Sequence, residues 1–568
     1  MKYSKRYVAF TVILAVIFLF KFQILGLDKT TIGEFRGANL DAGVWNPIVA
    51  EDVNGRLLTV VIDNKEYTSD SMHFFMNEDR NIMIPVSMLR DALNCSAHVY
   101  DGDTLLVEKH SKSVSIKLGE ETADTGDEQV AIVSGLTRIG EELYVSLNDL
   151  AGLLDYSYTF DIAENVVTAA DTDDSAVIPT MFDMREKGRV SKVRNQGSYG
   201  TCWAFAATSA LESSLYPEEE NLFSVDHMSM SNSYNVNQYD GGEYTIGMAY
   251  LAAWQGPVYE KDDPYGDGKT NGSLTAVKHV QEMQIIDGKN YEGIKEAVFQ
   301  YGGVQSSLYS TIRSSQGSSE FYNKDTSAYC YIGTEKPNHD VVIIGWDDNY
   351  PASNFNTPLE GDGAFICQNS WGEDFGEGGI FYVSYYDTNI GTHNVVYTRV
   401  DETDNYDHIY QSDLCGWVGK MGYDNEEIYG ANVFTAEGDE DVAAASFYAT
   451  GADTSYELYL VHDFEDEKSL DDRIKVAEGS CKQAGYYTVD FKTPMQVKAG
   501  ERYAIVLYIK TPGAAHPMAI EYDSGEASLD TVNLEDGEGY ISYNGRTFVN
   551  VKEKQDCNLC IKAFTRDK

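Results

Sequence analysis

A cysteine at the start of an apolar helix is the feature that most constrains how this chain folds. Residues 196–205 read QGSYGTCWAF, and residues 206–215 continue with good helix formers whose apolar members recur at helical spacing. Thr201 is a suitable cap, which would place Cys202 in the first helical turn. The positive end of the helix dipole and the exposed backbone donors favour a thiolate there, and the thiolate is the nucleophilic form of cysteine. The segment therefore predicts a nucleophile at Cys202.

A cysteine nucleophile needs a base and a group that orients the base. His339 stands just before the apolar run 341–344, and it is the only one of the ten histidines that is framed in this way. Asn369 follows a second apolar run, in the stretch FICQNSWG of residues 365–372. A lone histidine at a strand end is usually structural, but the joint occurrence of all three contexts predicts a catalytic set of Cys202, His339 and Asn369.

The same segment resembles a papain-type cysteine peptidase of the bacterial, multidomain kind. The resemblance extends to six further stretches in family order, at residues 178–185, 193–196, 240–242, 256–265, 294–305 and 375–382. It covers a whole catalytic domain, which we expect at residues 176–403. It implies an α+β fold with a helical half and an antiparallel β half.

The resemblance also implies a role for each catalytic residue. Cys202 would attack the peptide carbonyl, and His339 would pair with the thiolate and then protonate the leaving amine. Asn369 would orient the imidazole, as Asp does in serine enzymes. Gln196 would donate its side-chain amide to the oxyanion, beside the backbone N–H of Cys202.

Three substrate-site residues follow from the same resemblance, together with one departure. Gly241 and Gly242 would let an extended substrate backbone approach closely, because they have no Cβ, and Trp371 would shield the imidazole from water. Tyr199 and Tyr239 stand where the family usually has the two cysteines of a disulfide. Both halves of that bridge are missing together, which indicates a variant that does without it.

The first thirty residues predict export. Basic residues precede an apolar run at residues 7–20, and a second short apolar stretch extends to residue 27. This pattern is typical of a signal peptide or of an N-terminal membrane anchor, and the alternatives stay open. We expect the rest of the chain on the extracellular side of the membrane or secreted.

A small α+β repeat module is expected at residues 45–170. Residues 84–93 (IPVSMLRDAL) are echoed by residues 143–154 (LYVSLNDLAGLL), and each copy reads as a short strand, a capping serine and a helical turn or two. Alternating strand patterns follow each copy. The module resembles the repeats named after the N-terminal domain of copper amine oxidases, without implying copper. It reads equally as an envelope-facing module or as a plain folding unit. The module takes the place of the helical inhibitory propeptide of the plant and animal enzymes, which is not evident in this sequence. How the activity would be restrained therefore stays open.

The last segment, residues 404–568, predicts an all-β sandwich. Alternating strand patterns recur with turn signals between them, and the segment resembles the lectin-like domain that follows the peptidase in some bacterial and archaeal papain-type proteins. Trp417, Tyr486 and Tyr487 would suit stacking on a cell-envelope glycan, although aromatic residues in sandwiches usually belong to the core. Cys557 and Cys560 read as a local disulfide or as idle thiols.

Charge excludes one class of function. The formal net charge of −47 repels phosphate backbones, so we expect no nucleic acid partner. No cofactor and no metal is expected either. The sequence as a whole predicts an exported cysteine-type peptidase that acts on polypeptides. The alternative is a non-catalytic cell-surface or glycan-binding protein that uses the peptidase fold as a scaffold.

Overall fold

The computed structural model of this 568-residue chain describes residues 58–63, 65–68, 74–77, 81–161, 165–173, 178–312 and 314–568. The segment predicted as a signal or anchor, residues 1–30, lies outside these ranges, as does the start of the predicted repeat module. Within the described ranges, no helix is both long enough and apolar enough to cross a membrane.

The chain divides into two compact units. Among the described residues, the first unit contains those between 58 and 97, at 104–107 and between 112 and 173, and the second contains those at 98–103, at 108–111 and between 178 and 568. The second unit therefore includes both the segment with the predicted catalytic residues and the predicted sandwich.

The described residues of the N-terminal part form three small sheets and two short helices. Its sheets have the strand orders β12-β13-β1-β2, β10-β11-β4-β3 and β5-β6-β7-β8-β9. Its strands are β1 (Thr59–Ile62), β2 (Lys65–Thr68), β3 (Phe75–Met76), β4 (Ile82–Pro85), β5 (Ser96–Tyr100), β6 (Thr104–Lys109), β7 (Lys112–Lys117), β8 (Thr122–Asp124), β9 (Gln129–Ala131), β10 (Leu136–Ile139), β11 (Glu142–Ser146), β12 (Tyr156–Asp161) and β13 (Val166–Asp171). Its helices are α1 (Leu89–Leu93) and α2 (Leu147–Leu153), with a 3₁₀ turn at Val86–Met88.

The strand-then-helix pattern occurs twice, as the sequence predicts. β4 leads through the 3₁₀ turn into α1, β11 leads directly into α2, and the two strands pair antiparallel. Ser146 caps α2 by accepting a hydrogen bond from the Asp149 N–H at 3.2 Å. The predicted serine cap of the first copy is wrong, because α1 has no side-chain cap and Ser87 lies inside the 3₁₀ turn. The resemblance of this module to the amine-oxidase repeats stays a prediction.

The first half of the second unit contains the main helices. These are α3 (Cys202–Leu215), α4 (Val225–Met230), α5 (Tyr244–Ala252) and α6 (Tyr291–Gln300), with 3₁₀ turns at Met184–Lys187 and Ala352–Asn354. Its strands are β14 (Met181–Asp183), β15 (His279–Ile285), β16 (Val304–Leu308), β17 (Tyr322–Asn323), β18 (Ala328–Tyr329), β19 (His339–Asp347), β20 (Ala364–Gln368), β21 (Ile380–Ser384) and β22 (Asn394–Asp401). α3 is buried along most of its length, which fits its apolar residues and alanines on every face.

The second half of the unit is almost entirely β. Its strands are β23 (His408–Tyr410), β24 (Gly419–Met421), β25 (Glu427–Thr435), β26 (Glu440–Ala449), β27 (Thr454–Val461), β28 (Ile474–Cys481), β29 (Ala484–Val497), β30 (Arg502–Lys510), β31 (Met518–Glu521), β32 (Gly539–Ser542), β33 (Val549–Asn550), β34 (Asn558–Leu559) and β35 (Ile561–Asp567). One short helix, α7 (Val551–Lys554), and 3₁₀ turns at Ser469–Asp472 and Ala527–Leu529 complete it. The six-stranded sheet β28-β27-β30-β25-β32-β33 packs on β29-β26-β35-β23 around a shared apolar core, which confirms the predicted sandwich.

A single thirteen-stranded sheet runs through both halves of the second unit. Its main order is β17-β18-β21-β20-β19-β16-β22-β15-β29-β26-β35-β23, and β14 pairs with β19. The crossing point is the antiparallel pair β15–β29, where Met283 stands opposite Tyr486. At this junction Gly485 has φ +146°, and a Cβ there would lie 2.1 Å from the Met283 carbonyl oxygen. The close approach of the two strands therefore depends on glycine.

Two of the three aromatic residues considered for sugar stacking belong to the core, the alternative that is usual in sandwiches. Tyr486 is completely buried and Tyr487 is also buried, so both are core residues and their assignment to a glycan site is wrong. Trp417 is half-buried, with the Lys420 ammonium 4.9 Å from its ring. Cys557 and Cys560 are buried free thiols, as are the other cysteines except the half-buried Cys202, so the disulfide alternative is wrong.

Candidate active site

The predicted nucleophile lies at the start of the central helix. Cys202 is the first residue of α3 and is half-buried. Thr201 is the N-cap residue but makes no capping hydrogen bond; its hydroxyl lies 2.7 Å from the hydroxyl of Tyr265 instead. The backbone N–H groups of Cys202, Trp203 and Asp340 face the sulfur and lower the pKa of the thiol. The helix start therefore supplies backbone donors, as the sequence predicts.

Burial outweighs these donors. Because a buried charge loses its hydration, burial raises the pKa of Cys202 to about 12, and the nearby Asp340 carboxyl adds to the rise. The expectation that the helix start favours a thiolate is therefore wrong for the isolated thiol. A thiolate at neutral pH requires a cation beside it.

Asn369 and Trp371 hold and cover the imidazole. His339 begins β19 and Asn369 directly follows β20, and in this antiparallel pair the start of one strand lies beside the end of the other. Nε2 of His339 lies 2.8 Å from Oδ1 of Asn369. Trp371 is 5% exposed and stacks on the imidazole, with the ring centroids 4.6 Å apart. Burial lowers the pKa of His339 to about 4, although the bond to Asn369 opposes this shift. The ring is therefore neutral, with Nε2–H donating to Asn369 and Nδ1 left as an acceptor.

Gln196 is fixed at both ends of its side-chain amide. Nε2 donates to the Tyr199 carbonyl at 2.7 Å, and Oε1 accepts from the Ser370 hydroxyl at 2.7 Å. The Gln196 carbonyl accepts from the hydroxyl of Tyr265 at 2.9 Å. Because the Ser370 bond orients the amide and Nε2 carries two hydrogens, one N–H is left after the Tyr199 bond.

The two glycines predicted to contact substrate have backbone positions that favour glycine. Gly242 is exposed, and a Cβ there would lie 2.4 Å from Nε1 of Trp203, so this position needs glycine to pack on the indole. Gly241 has φ +85°, in the left-handed region that favours glycine. At Gly241 and Gly242, the backbone beside α3 therefore carries no side chain.

An aromatic pair occupies the place of the absent disulfide. The rings of Tyr199 and Tyr239 lie 4.9 Å apart, and Tyr199 also meets Tyr265 edge to face at 6.0 Å. Tyr265 packs in turn on Phe205 of α3 at 4.7 Å. These contacts connect the loop after Gln196 to the loop before Gly241.

Sequence reasoning missed three residues of this site. Ser370 orients Gln196, Tyr265 bonds both Thr201 and the Gln196 carbonyl, and Asp340 places a buried carboxyl near the thiol. Ser370 and Asp340 each directly follow a predicted catalytic residue, which is the only signal that the sequence offers for them.

Two family profiles match the chain. The profile of the papain family cysteine proteases matches residues 178–399, and that of the lectin-like domain matches residues 409–565. Among curated relatives, a cathepsin L-like peptidase of Aedes aegypti is 28% identical over 208 residues, and cathepsin S of Bos taurus is 28% identical over 219 residues. These alignments cover 36% and 37% of this chain, and 58% and 60% of the two relatives. The chain thus spans about three fifths of the length of the curated relatives it matches.

Two solved structures share both halves of the second unit. One is the clostridial cysteine protease Cwp84 after propeptide cleavage, with 27% identity and a TM-score of 0.62, covering 68% of this chain and 99% of that one. The other contains the cysteine protease and lectin-like domains of Cwp84, a surface layer associated protein of Clostridium difficile, with 26% identity and a TM-score of 0.60. It covers 69% of this chain and 89% of that one. Residues 178–399 are thus a papain-family cysteine protease domain, which a lectin-like domain follows at residues 409–565.

Proposed function

We propose that this protein is an exported cysteine-type peptidase that hydrolyses peptide bonds through Cys202, His339 and Asn369. The observation that carries the proposal is the 2.8 Å contact between His339 Nε2 and Asn369 Oδ1 under the ring of Trp371. This contact fixes the imidazole in the tautomer that has a free acceptor at Nδ1. A thiol at the start of α3 is the group that needs this acceptor.

The reaction begins with proton transfer. The Cys202 S–H proton passes to Nδ1 of His339, and the sulfur attacks the carbonyl carbon of the peptide. Each charge is costly in this buried site when it stands alone, but the thiolate and the imidazolium stabilise each other when they form together. The imidazolium then protonates the leaving amine as the C–N bond breaks, which leaves a thioester on Cys202. Water, activated by the neutral imidazole, hydrolyses the thioester and releases the acid.

The developing oxyanion lies between two donors in this proposal. They are the backbone N–H of Cys202 and the second N–H of Gln196 Nε2. Ser370 and Tyr199 support the assignment because they hold the amide of Gln196 in one orientation before substrate arrives. Donors that are already oriented need no reorganisation as negative charge develops.

Hydrolysis of a fluorogenic dipeptide under reducing conditions tests the proposal. The full-length chain should release the fluorophore, whereas Cys202→Ala should release none. Cys330→Ala serves as the matched control, because it removes a buried free thiol of the same unit outside the site. No turnover by the unsubstituted chain, together with no alkylation of Cys202 by a peptidyl electrophile, would instead support the non-catalytic scaffold function.

The proposal places the protein outside the cell. Two features support export: the charged and apolar pattern of residues 1–30, and the likeness to a surface layer associated protein. Cell fractionation with an antibody against the lectin-like domain tests it, and protein found only in the cytosol would contradict export. Whether the N-terminal segment is an anchor or a cleaved signal is decided by the mass of the mature chain.

A second function, binding of a cell-envelope glycan, is favoured by the lectin-like domain. Stacking on sugar rings needs exposed aromatic side chains. Tyr423 and Tyr543 are 39% and 57% exposed, and their rings lie 5.9 Å apart at 86°. We expect retention on purified cell-wall polysaccharide, lost in Tyr543→Ala and kept in Tyr487→Phe. Equal retention of all three proteins would contradict this site.

A further inference from the structure

The mechanism proposed above leaves one charged side chain of the site without a role. Asp340 directly follows His339 in β19, its backbone N–H faces the Cys202 sulfur, and the residue is 8% exposed. A buried carboxylate normally has a cation beside it. None of the ion pairs formed by the described residues includes Asp340, so the described part of the molecule provides no such cation for this carboxyl.

The Asp340 carboxyl is held rigidly. Oδ1 accepts from the Ser307 hydroxyl at 2.7 Å and Oδ2 accepts from Nε2 of Gln305 at 2.9 Å. Ser307 stands directly opposite Asp340 in the β16–β19 pairing. Gln305 Nε2 also donates to the Trp203 carbonyl at 3.2 Å, which connects the carboxyl to the nucleophile helix. The carboxyl therefore has a fixed position relative to Cys202.

The side-chain oxygen of Gln305, the residue whose Nε2 bonds Asp340, accepts no hydrogen bond within the part of the chain that the structure describes. Oε1 of Gln305 is buried and has no hydrogen-bond partner among the described residues. A buried acceptor without a donor costs about 1–3 kcal/mol. Asp340 and Gln305 together thus provide acceptors for a ligand that is rich in N–H groups.

Two further ionisable side chains act on the Asp340 carboxyl. Burial raises the pKa of Asp340, and the exposed Glu243, which directly follows Gly242, adds to the rise. His393 lowers the pKa of Asp340 and stacks on Tyr244 with the ring centroids 5.5 Å apart. A cation that approaches Asp340 would therefore also be attracted by the exposed Glu243 carboxylate.

We propose that Asp340, assisted by Glu243, selects a basic side chain, lysine or arginine, in the peptide substrate next to the scissile bond. This inference rests on the proposed peptidase function. The ammonium or guanidinium would pair with the Asp340 carboxylate and donate to Oε1 of Gln305. An apolar substrate side chain would leave Oε1 of Gln305 without a donor and the Asp340 carboxylate without a counter-charge, so the site disfavours it.

Matched substrate pairs test this selection. Fluorogenic peptides carrying lysine or its uncharged analogue norleucine at each position near the scissile bond are compared in the full-length chain, and kcat/KM is measured for each. The expected result is a preference for lysine at one position, on the order of 30-fold or more, since breaking a buried charge pair is costly. Asp340→Asn should remove most of this preference. Glu243→Gln should reduce it only a few-fold, and less at high salt, because an exposed charge is screened.

The ratio of the two kcat/KM values separates selection from a structural role. The amide introduced by Asp340→Asn keeps an acceptor for Ser307, and the pairing of β16 with β19 is made by the backbone, so the fold should survive. A fall of kcat/KM by the same factor for lysine and norleucine peptides would show a structural role and overturn the inference. So would a wild-type enzyme without basic preference, or a preference that Asp340→Asn keeps. Absence of all hydrolysis would instead refute the proposed function itself, and the inference with it.

Discussion

Tyr486 should stabilise the peptidase domain even though it lies in the lectin-like domain. It is completely buried, stands opposite Met283 in the β15–β29 pairing, and its hydroxyl donates to Ser446 Oγ at 2.8 Å. It also belongs to the same apolar core as Trp203 and Ile343 of the peptidase domain. We therefore expect Tyr486→Ala to destabilise both domains together.

The magnitude follows from the contacts that are lost. Truncation of a buried aromatic side chain to alanine costs about 3–5 kcal/mol, and a lost hydrogen bond costs about 1 kcal/mol. The total of about 4–6 kcal/mol is a large part of the roughly 5–15 kcal/mol by which folded domains are stable. With a urea m-value of about 3 kcal/mol per M, the unfolding midpoint should fall by about 1.3–2 M.

Two buried thiols report separately on the two domains. Cys367 lies in β20 of the peptidase domain and Cys481 ends β28 of the lectin-like domain, and both are buried free thiols. Alkylation at increasing urea, followed by mass spectrometry, gives an unfolding midpoint for each. One cooperative unit predicts equal midpoints that shift equally in Tyr486→Ala, and no shift in Tyr543→Ala, which truncates an exposed tyrosine. A shift at Cys481 alone would refute the reasoning, because the domains would then unfold independently.

Three further predictions concern the site. Gln196→Ala should lower kcat about 10²–10³-fold through the lost oxyanion donor, and an unchanged kcat would remove Gln196 from the mechanism. In His339→Ala, alkylation of Cys202 by iodoacetamide should be negligible near pH 7 and rise about tenfold per pH unit up to at least about pH 10. Burial raises the pKa of that thiol to about 12, so the protonated form prevails below it; a plateau near neutral pH would contradict this. In a double-mutant cycle, Tyr199→Ala and Tyr239→Ala should couple by about 0.5–1.5 kcal/mol of unfolding free energy, and additive losses would show that their 4.9 Å contact does not stabilise the fold.

The sequence predicted the positions that local pattern determines. Cys202 begins α3 because a run of helix formers starts there, and His339 and Asn369 stand at strand ends because the apolar runs stop beside them. The 30 positions that separate His339 from Asn369 in the sequence do not indicate how far apart they lie in space. The antiparallel pairing of β19 and β20 brings the two side chains to 2.8 Å. Family resemblance supplied that pairing, whereas periodicity alone does not.

Other features depend on contacts between distant segments, which a sequence pattern does not contain. Tyr486 and Tyr487 alternate along one strand as any half-exposed pair would, but sheets cover both faces of β29, so both are buried. The pairing of β15 with β29 joins residues about two hundred positions apart in one sheet, a separation typical of the long-range pairing that local patterns do not encode. The direction of the Cys202 pKa was also mispredicted, because it depends on how much water the folded site excludes.

In the mechanism proposed here, Asp340 would connect recognition of the substrate to activation of the nucleophile. Its carboxyl raises the pKa of Cys202, so the same charge that would attract a basic side chain also opposes the thiolate while the site is empty. A bound ammonium or guanidinium would neutralise that charge and make proton transfer from Cys202 to His339 less costly. Interactions that favour the charged nucleophile accelerate the chemical step, whereas interactions that hold the substrate equally throughout lower only KM. The preference for lysine over norleucine should therefore appear in kcat as well as in KM, and a preference confined to KM would mean that Asp340 binds the substrate without acting on the thiol.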